Sequence, residues 1–196
     1  MNQQERSATQ VPLVVVFHTG GPYCVEAARL RWSLKRFGLE YEIDELEPVG
    51  NWTANNHLRA GYLIGKQAAH PGRHLLSLDA DAVLLADPMP YLTQLDCDVA
   101  VHYLRDIEPL PGTLWLSPTT ETSCFLAGWK GINAIEPRRA DRVNCGAALD
   151  QRAGSLRVAR LPPEYCYIYD LSREAYPEVQ PVIQHWQASR WIGEVP

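Results

Sequence analysis

The chain has 196 residues, 46% hydrophobic and 21% charged, with a net charge of −5. At this size roughly 70% of the unfolded surface can be buried, so a full core is within reach. No apolar run approaches the roughly 18 residues that a bilayer-crossing helix needs. The polar start, MNQQERSATQ, carries no signal-peptide core, so a disordered tail over residues 1–10, a cytoplasmic location and no membrane partner are the expectations. Cys24, Cys97, Cys124, Cys145 and Cys166 are odd in number and form no CxxC pair, which argues for reduced thiols and against a disulfide framework or a zinc site.

The acidic balance excludes a polycation built for nucleic acid, but the charge is uneven. Residues 130–160 hold seven bases against three acids, and residues 40–47 hold five acids and no base. An arginine-rich region on an acidic chain fits either an anionic ligand or a solvated face.

In chain order, VPLVVVFHTGG (11–21) reads as a strand closed by a glycine turn. Pro22 suits a first helical turn. The following residues place Val25, Ala28, Leu30, Trp32, Leu34 and Phe37 as an apolar set, with Gly38 as the stop. LEYEIDELEPV alternates apolar and acidic residues, as a half-exposed strand does. A polar loop, GNWTANN, precedes a helix over about 57–69, and HLLSL is the next strand. Strand, helix, strand, helix, strand predicts an α/β fold with a mostly parallel, Rossmann-like central sheet. Ligands of such sheets collect at the carboxyl ends of the strands. His18, Thr19 and Gly20 stand at one such end, and Asp79 to Asp81 at another.

The second half is mixed α+β. ADPMPYLTQL reads as a short helix, and CDVAVHYL and PGTLWLSP as strands. TETSCFLAGWKGI and RADRVNCGAALDQR read as helices, and SLRVARL, YCYIYD and PVIQHW as short strands. Neither a repeat nor a linker divides the chain, so residues 11–196 are expected to form a single compact domain.

LLSLDADAVLLADP (75–88) interrupts an apolar run with two carboxylates. Residues i and i+2 of a strand point the same way, so Asp79 and Asp81 would face one ion if the strand continues. Oxygen ligands of this kind suit a hard divalent cation, Mg²⁺ or Mn²⁺, and two carboxylates leave its octahedron incomplete. The alternative is a capping Asp79 and a solvated Asp81. His185 ends an apolar run, and a neutral imidazole is a competent Mn²⁺ ligand. A histidine stacked among Trp186 and Trp191 is the other reading of that position.

The segment LLSLDADAVLLADP resembles the DxD segment of GT-A-fold glycosyltransferases, specifically the glycogenin-like and lipopolysaccharide-galactosyltransferase type. NWTANNHLRAGYLIGKQA (51–68) is similar to the helix before that segment, GTLWLSPT (112–119) to a strand near the acceptor pocket, and PVIQHWQASRW (181–191) to the C-terminal I-x-H segment. PPEYCYIY (162–169) resembles an LP-x-x-Y-N segment, with Cys166 where Asn is usual. RADRVNCGAALDQR is similar to a D-Q-x-x-L-x-x-A-L segment, with Arg142 in place of Gln.

The resemblance implies a single GT-A domain and a glycosyltransferase that moves a sugar from a nucleotide-sugar donor, a UDP-sugar, to a hydroxyl acceptor. It implies that Asp79, Asp81 and His185 bind the metal. Arg59 and Asp79 would reach the donor, and Arg190 its diphosphate. The nucleotide would lie near His18, Thr19, Gly20 and Tyr23. Asp141 would orient the acceptor or act as base, with Arg190 as its catalytic companion; the other reading of Asp141 is a cap of the helix that follows. A glycan and a hydroxymethylated base in phage-type modified DNA are both acceptors of the required chemistry. Two rival readings are a nucleotidyltransferase that makes a nucleotide sugar, and a non-catalytic nucleotide-sugar-binding protein. The first turn, HTGGPYC, lacks the basic residue that a triphosphate loop carries, which weighs against the former.

Overall fold

A computed structural model describes residues 11–192, with side chains through Arg190. The tail expected over residues 1–10 lies outside the described residues. Among the described residues the central sheet has six strands. These are β1 (Leu13–His18), β2 (Tyr41–Glu45), β3 (Leu75–Asp79), β5 (Val99–Leu104), β6 (Glu108–Leu116) and β7 (Val158–Arg160). Their order is β2-β1-β3-β6-β5-β7; β1 pairs in parallel with β2 and β3, and β5 with β7. β6 runs antiparallel to both β3 and β5. The sheet is therefore mostly parallel, as expected, with an antiparallel insertion where the sequence reads as two strands joined by a short loop.

Both faces of the sheet are covered, which explains the unbroken β-branched run of β1. Leu13 and Val15 pack on one face with Ala60 and Leu63 of α3 (Leu58–Ala69) and Phe125 and Trp129 of α5 (Thr120–Ile135). Val14 and Val16 pack on the other with Leu30 and Leu34 of α1 (Tyr23–Arg36). Successive strand residues point to opposite faces, so one strand feeds two cores. A short helix, α4 (Met89–Leu92), adds Leu92 to the second of these cores, and α6 (Asp141–Gln151) adds Cys145 and Ala148 to the first.

A second, three-stranded sheet has the order β4-β9-β8, from β4 (Ala82–Leu84), β8 (Tyr167–Ile168) and β9 (Ile183–His185). The polypeptide leaves the central sheet after Asp79, turns at Ala80 and Asp81, and enters this small sheet. The strand therefore does not continue through both aspartates, and the i, i+2 alignment expected for them is replaced by a turn.

Three local expectations are corrected. In α1 the buried residues are Ala27, Leu30, Ser33 and Leu34, whereas Val25 and Trp32 are exposed. Ser33 belongs to the core face because its hydroxyl donates to the Leu30 carbonyl and accepts the Leu84 N–H. The polar loop after residue 50 contains a short helix, α2 (Trp52–Asn56), begun by the Asn51 side chain accepting the Ala54 N–H. YCYIYD contributes only a two-residue strand before α7 (Tyr169–Ala175) begins. Among the described residues no helix is long and apolar enough to cross a membrane. All five cysteines are free thiols.

Candidate functional site

The parallel register sets Phe17 of β1 beside Asp79 of β3, so the carboxyl ends of the two strands open on the same side. There the chain turns through Gly20 and Gly21, both at positive φ. A side chain at Gly20 would be strained by the φ of 74°, and its Cβ would displace Glu45 Oε1, 2.7 Å away. Its N–H donates to His18 Nδ1 at 3.1 Å.

The small sheet supplies the other half of the site. Antiparallel pairing of β4 with β9 sets Ala82 opposite His185 and so delivers His185 beside Asp81. Ligand atoms of Asp79, Asp81 and His185 all lie within 4.8 Å of one another, a set that could hold a metal ion. Asp81 Oδ2 accepts the Ala188 N–H at 2.8 Å. Asp81 Oδ1 is buried with no hydrogen-bond partner, and it faces His185 Nδ1 at 3.6 Å, an ion-pair distance too long for a hydrogen bond. Two carboxylates and an imidazole are a donor set for Mn²⁺ or Mg²⁺, and a buried, unpartnered carboxylate oxygen fits a cation there.

Burial pushes the Asp81 carboxyl up, but the His185 imidazole, the Ala188 N–H and Arg59 outweigh it and hold the group below the usual carboxylate range. Burial alone would lower His185. The Cys166 thiol and the Asp81 carboxylate instead raise it well above an ordinary histidine. His185 Nε2 lies 2.8 Å from Thr113 Oγ1 on β6.

Arg59, on α3, is buried and joins both sides of the cleft. Its guanidinium pairs with Asp79 Oδ1 at 2.6 Å and Asp141 Oδ2 at 3.3 Å, and donates to the Pro111 carbonyl at 3.0 Å. Burial disfavours its charge, yet the two carboxylates raise its pKa further. Asp141 Oδ1 accepts from Trp129 Nε1 at 3.0 Å and Asn133 Nδ2 at 3.1 Å. Burial raises the Asp141 carboxyl in spite of Arg59 and Asn133.

One cleft is lined by His18, Thr19, Tyr23, Arg59, Asp79, Asp81, Asp141 and His185 together. Gly20 shapes the turn at its edge but is not among the lining residues. Arg190, on α8 (Ala188–Ile192), is exposed and pairs with Asp170 of α7, outside that lining. Gln187 and Ser189 of the same segment line the cleft instead. The arginines of residues 130–160 do not form a free basic patch. Arg142 pairs with Glu108, Arg152 with Glu121, Arg157 with Asp96 and Asp98, and Arg160 with Asp106.

Two residues of the site escaped the sequence reading of its chemistry. At Gly112 a Cβ would meet Asp79 Oδ2 at 2.8 Å and His185 Cε1 at 3.3 Å. A glycine inside a strand signals such a close approach, and that was the available clue. Thr113, beside it, lies in the segment similar to a strand near the acceptor pocket, but its contact with His185 crosses between the two sheets and has no local signal.

No family model and no curated protein matches the chain. Among solved structures it is similar to a glycosyltransferase involved in the glycosylation of the major capsid of PBCV-1, with a TM-score of 0.70 at 12% identity, covering 90% of this chain and 93% of that one. It is also similar to the apo form of the glycosyltransferase GlyE of Streptococcus pneumoniae TIGR4, with a TM-score of 0.62 at 15% identity. That match covers 90% of this chain and 54% of the GlyE chain, so this chain spans about half of GlyE. The chain thus has the glycosyltransferase fold that the DxD resemblance implied.

Proposed function

We propose that the protein is a metal-dependent glycosyltransferase that moves a sugar from a nucleotide-sugar donor, a UDP-sugar, to a hydroxyl acceptor, with residues 11–196 acting as one unit. The observation that carries this reading is the convergence of Asp79, Asp81 and His185 at the strand ends of a glycosyltransferase fold, with Asp81 Oδ1 buried and unpartnered.

Asp79, Asp81 and His185 would hold Mn²⁺ or Mg²⁺. When bound, the cation supplies Lewis-acid neutralisation of the departing diphosphate. His18, Thr19 and Tyr23 offer the donor's nucleotide a wall on the β1 side, and Gly20 makes the tight turn that forms it. Arg59 places a fixed positive charge beside Asp79, where negative charge develops on the leaving group. Three side chains already donate to the Asp141 carboxylate. Its role in this reading is therefore to orient Arg59 and the acceptor rather than to take a proton. Arg190 reaches the diphosphate only by leaving Asp170.

The acceptor is read as a hydroxyl of a glycan or another small polar molecule. With the arginines of residues 138–160 mostly engaged in ion pairs, the charge argument for a phosphate-rich acceptor such as modified DNA loses its basis. The test is a mass-spectrometric screen of nucleotide sugars with Mn²⁺ and a panel of hydroxylated acceptors, run on wild type, Asp81→Ala and His185→Ala. Metal-dependent transfer or donor hydrolysis by wild type, lost in both variants, is the expected result. Undiminished turnover in the variants would remove the metal assignment.

A further inference from the structure

We propose that Thr113 is a positioning residue whose Oγ1 accepts a hydrogen bond from the Nε2–H of His185 and leaves Nδ1 as the nitrogen that meets the cation. The inference rests on the metal reading above and deepens it by naming the ligating atom.

The two ring nitrogens of His185 face different partners. Nε2 lies 2.8 Å from Thr113 Oγ1, and Nδ1 lies 3.6 Å from Asp81 Oδ1. A neutral imidazole carries one N–H donor and one lone pair, and the bond made by one nitrogen decides which role the other plays. In the neutral ring that a metal ligand must be, an Nε2–H donating to the threonine oxygen leaves the lone pair on Nδ1, on the side of the unpartnered Asp81 oxygen. The reverse arrangement, Thr113 donating to Nε2, would put a proton on Nδ1 and bar it from coordination.

Thr113 is built to hold this choice. It is wholly buried, and its backbone is paired to Leu78 of β3, one residue before Asp79. Its β-branched side chain has restricted rotamers. The neighbouring Gly112 leaves room for Asp79 Oδ2 and for the Cε1 edge of the ring. The dipeptide Gly112-Thr113 thus serves both ends of the site, one residue by making space and the other by aiming the ring. Ligating histidines generally donate their second ring N–H to an oxygen, and removing that oxygen weakens metal binding by about 10- to 100-fold.

The experiment has two readouts. Mn²⁺ affinity is measured by electron paramagnetic resonance for wild type, Thr113→Val and Thr113→Ser. The His185 ring is read by ¹⁵N NMR in the Mg²⁺-loaded wild type, with His185→Gln identifying its signals among the six histidines. Expected are a loss of about 10- to 100-fold in Thr113→Val, near-wild-type affinity in Thr113→Ser, and a protonated Nε2 with metal-responsive Nδ1. Tight wild-type binding with unchanged affinity in Thr113→Val, or a metal-responsive Nε2, overturns this inference alone. Wild type that does not bind Mn²⁺ overturns the metal reading and this inference with it. The NMR arm uses no Thr113 substitution, so it decides the question even if Thr113→Val does not fold.

Discussion

Asp81 Oδ1 and His185 Nδ1 face each other across 3.6 Å in a buried setting, and the carboxylate oxygen makes no hydrogen bond. Binding of a cation to the folded state alone must appear as stability. At a hundredfold excess over the dissociation constant the gain is about 2.7 kcal/mol, or roughly 5–10 °C in Tm for a domain of this size. Differential scanning fluorimetry should show this rise with Mn²⁺, its reversal by a chelator, and its absence in Asp81→Ala. Equal shifts in wild type and variant would place the metal elsewhere.

Gly112→Ala should separate metal binding from folding. The added Cβ would press on the Asp79 carboxylate, the mobile end of a side chain, rather than on backbone. The stability cost should therefore stay near 1 kcal/mol, the ordinary scale of a point substitution. Mn²⁺ affinity should fall at least tenfold, about 1.4 kcal/mol. Calorimetric Mn²⁺ titration beside urea unfolding checks both; unchanged affinity would contradict the crowding.

Arg190 and Asp170 form an exposed ion pair between α8 and α7. If Arg190 serves the donor diphosphate, Asp170 competes for it. Asp170→Asn should then tighten UDP binding a few-fold, the scale of an exposed pair. Arg190→Ala should weaken it about tenfold through loss of a charge-assisted contact. Isothermal titration with UDP and Mn²⁺ reads both, and an unaffected Arg190→Ala would free Arg190 from any donor role.

Asp98 anchors β7 to β5. Its buried carboxylate accepts the Arg157 backbone N–H at 2.8 Å and Arg157 Nη2 at 3.1 Å. Burial pushes the carboxyl up, but these bonds outweigh it and hold it below its ordinary value. A depressed carboxylate contributes stability above its unfolded pKa of about 3.9, and loses that contribution as pH falls through the folded value. Asp98→Asn should cost about 2–4 kcal/mol at pH 7. It should also flatten the loss of stability between about pH 4 and the acid limit. Urea unfolding at a series of pH values measures both; an unchanged acid slope would assign that loss to other carboxylates, such as Glu42 and Asp44 beside Lys66.

Much of the fold was legible because its signals are local. The β-branched run of β1, the glycine turn after it and the helix stop at Gly38 depend on neighbouring residues alone, and the structure places a strand, a turn and a helix there. The outward face of α1 was misread because Val25, Ala28 and Trp32 form an apolar stripe of their own. Which stripe packs inward depends on the sheet beneath, and that sheet selected Ala27, Leu30 and Leu34. The arginine-rich stretch gave a true charge count and a misleading patch, since the acids that neutralise it come mostly from distant segments.

Residue type and short-range periodicity were enough to reveal the alternating α/β start, the carboxylate pair that begins at the last residue of β3, and the histidine that ends β9. Tertiary structure alone decided that β4 and β9 join in a separate sheet that brings His185 to Asp81. It also decided that Arg59 bridges Asp79 and Asp141, that Gly112 lies against the Asp79 carboxylate and the His185 ring, and that Thr113 meets the imidazole. The difference is one of range. A strand's composition reports that it will be buried, but its partner is chosen by the packing of the whole chain.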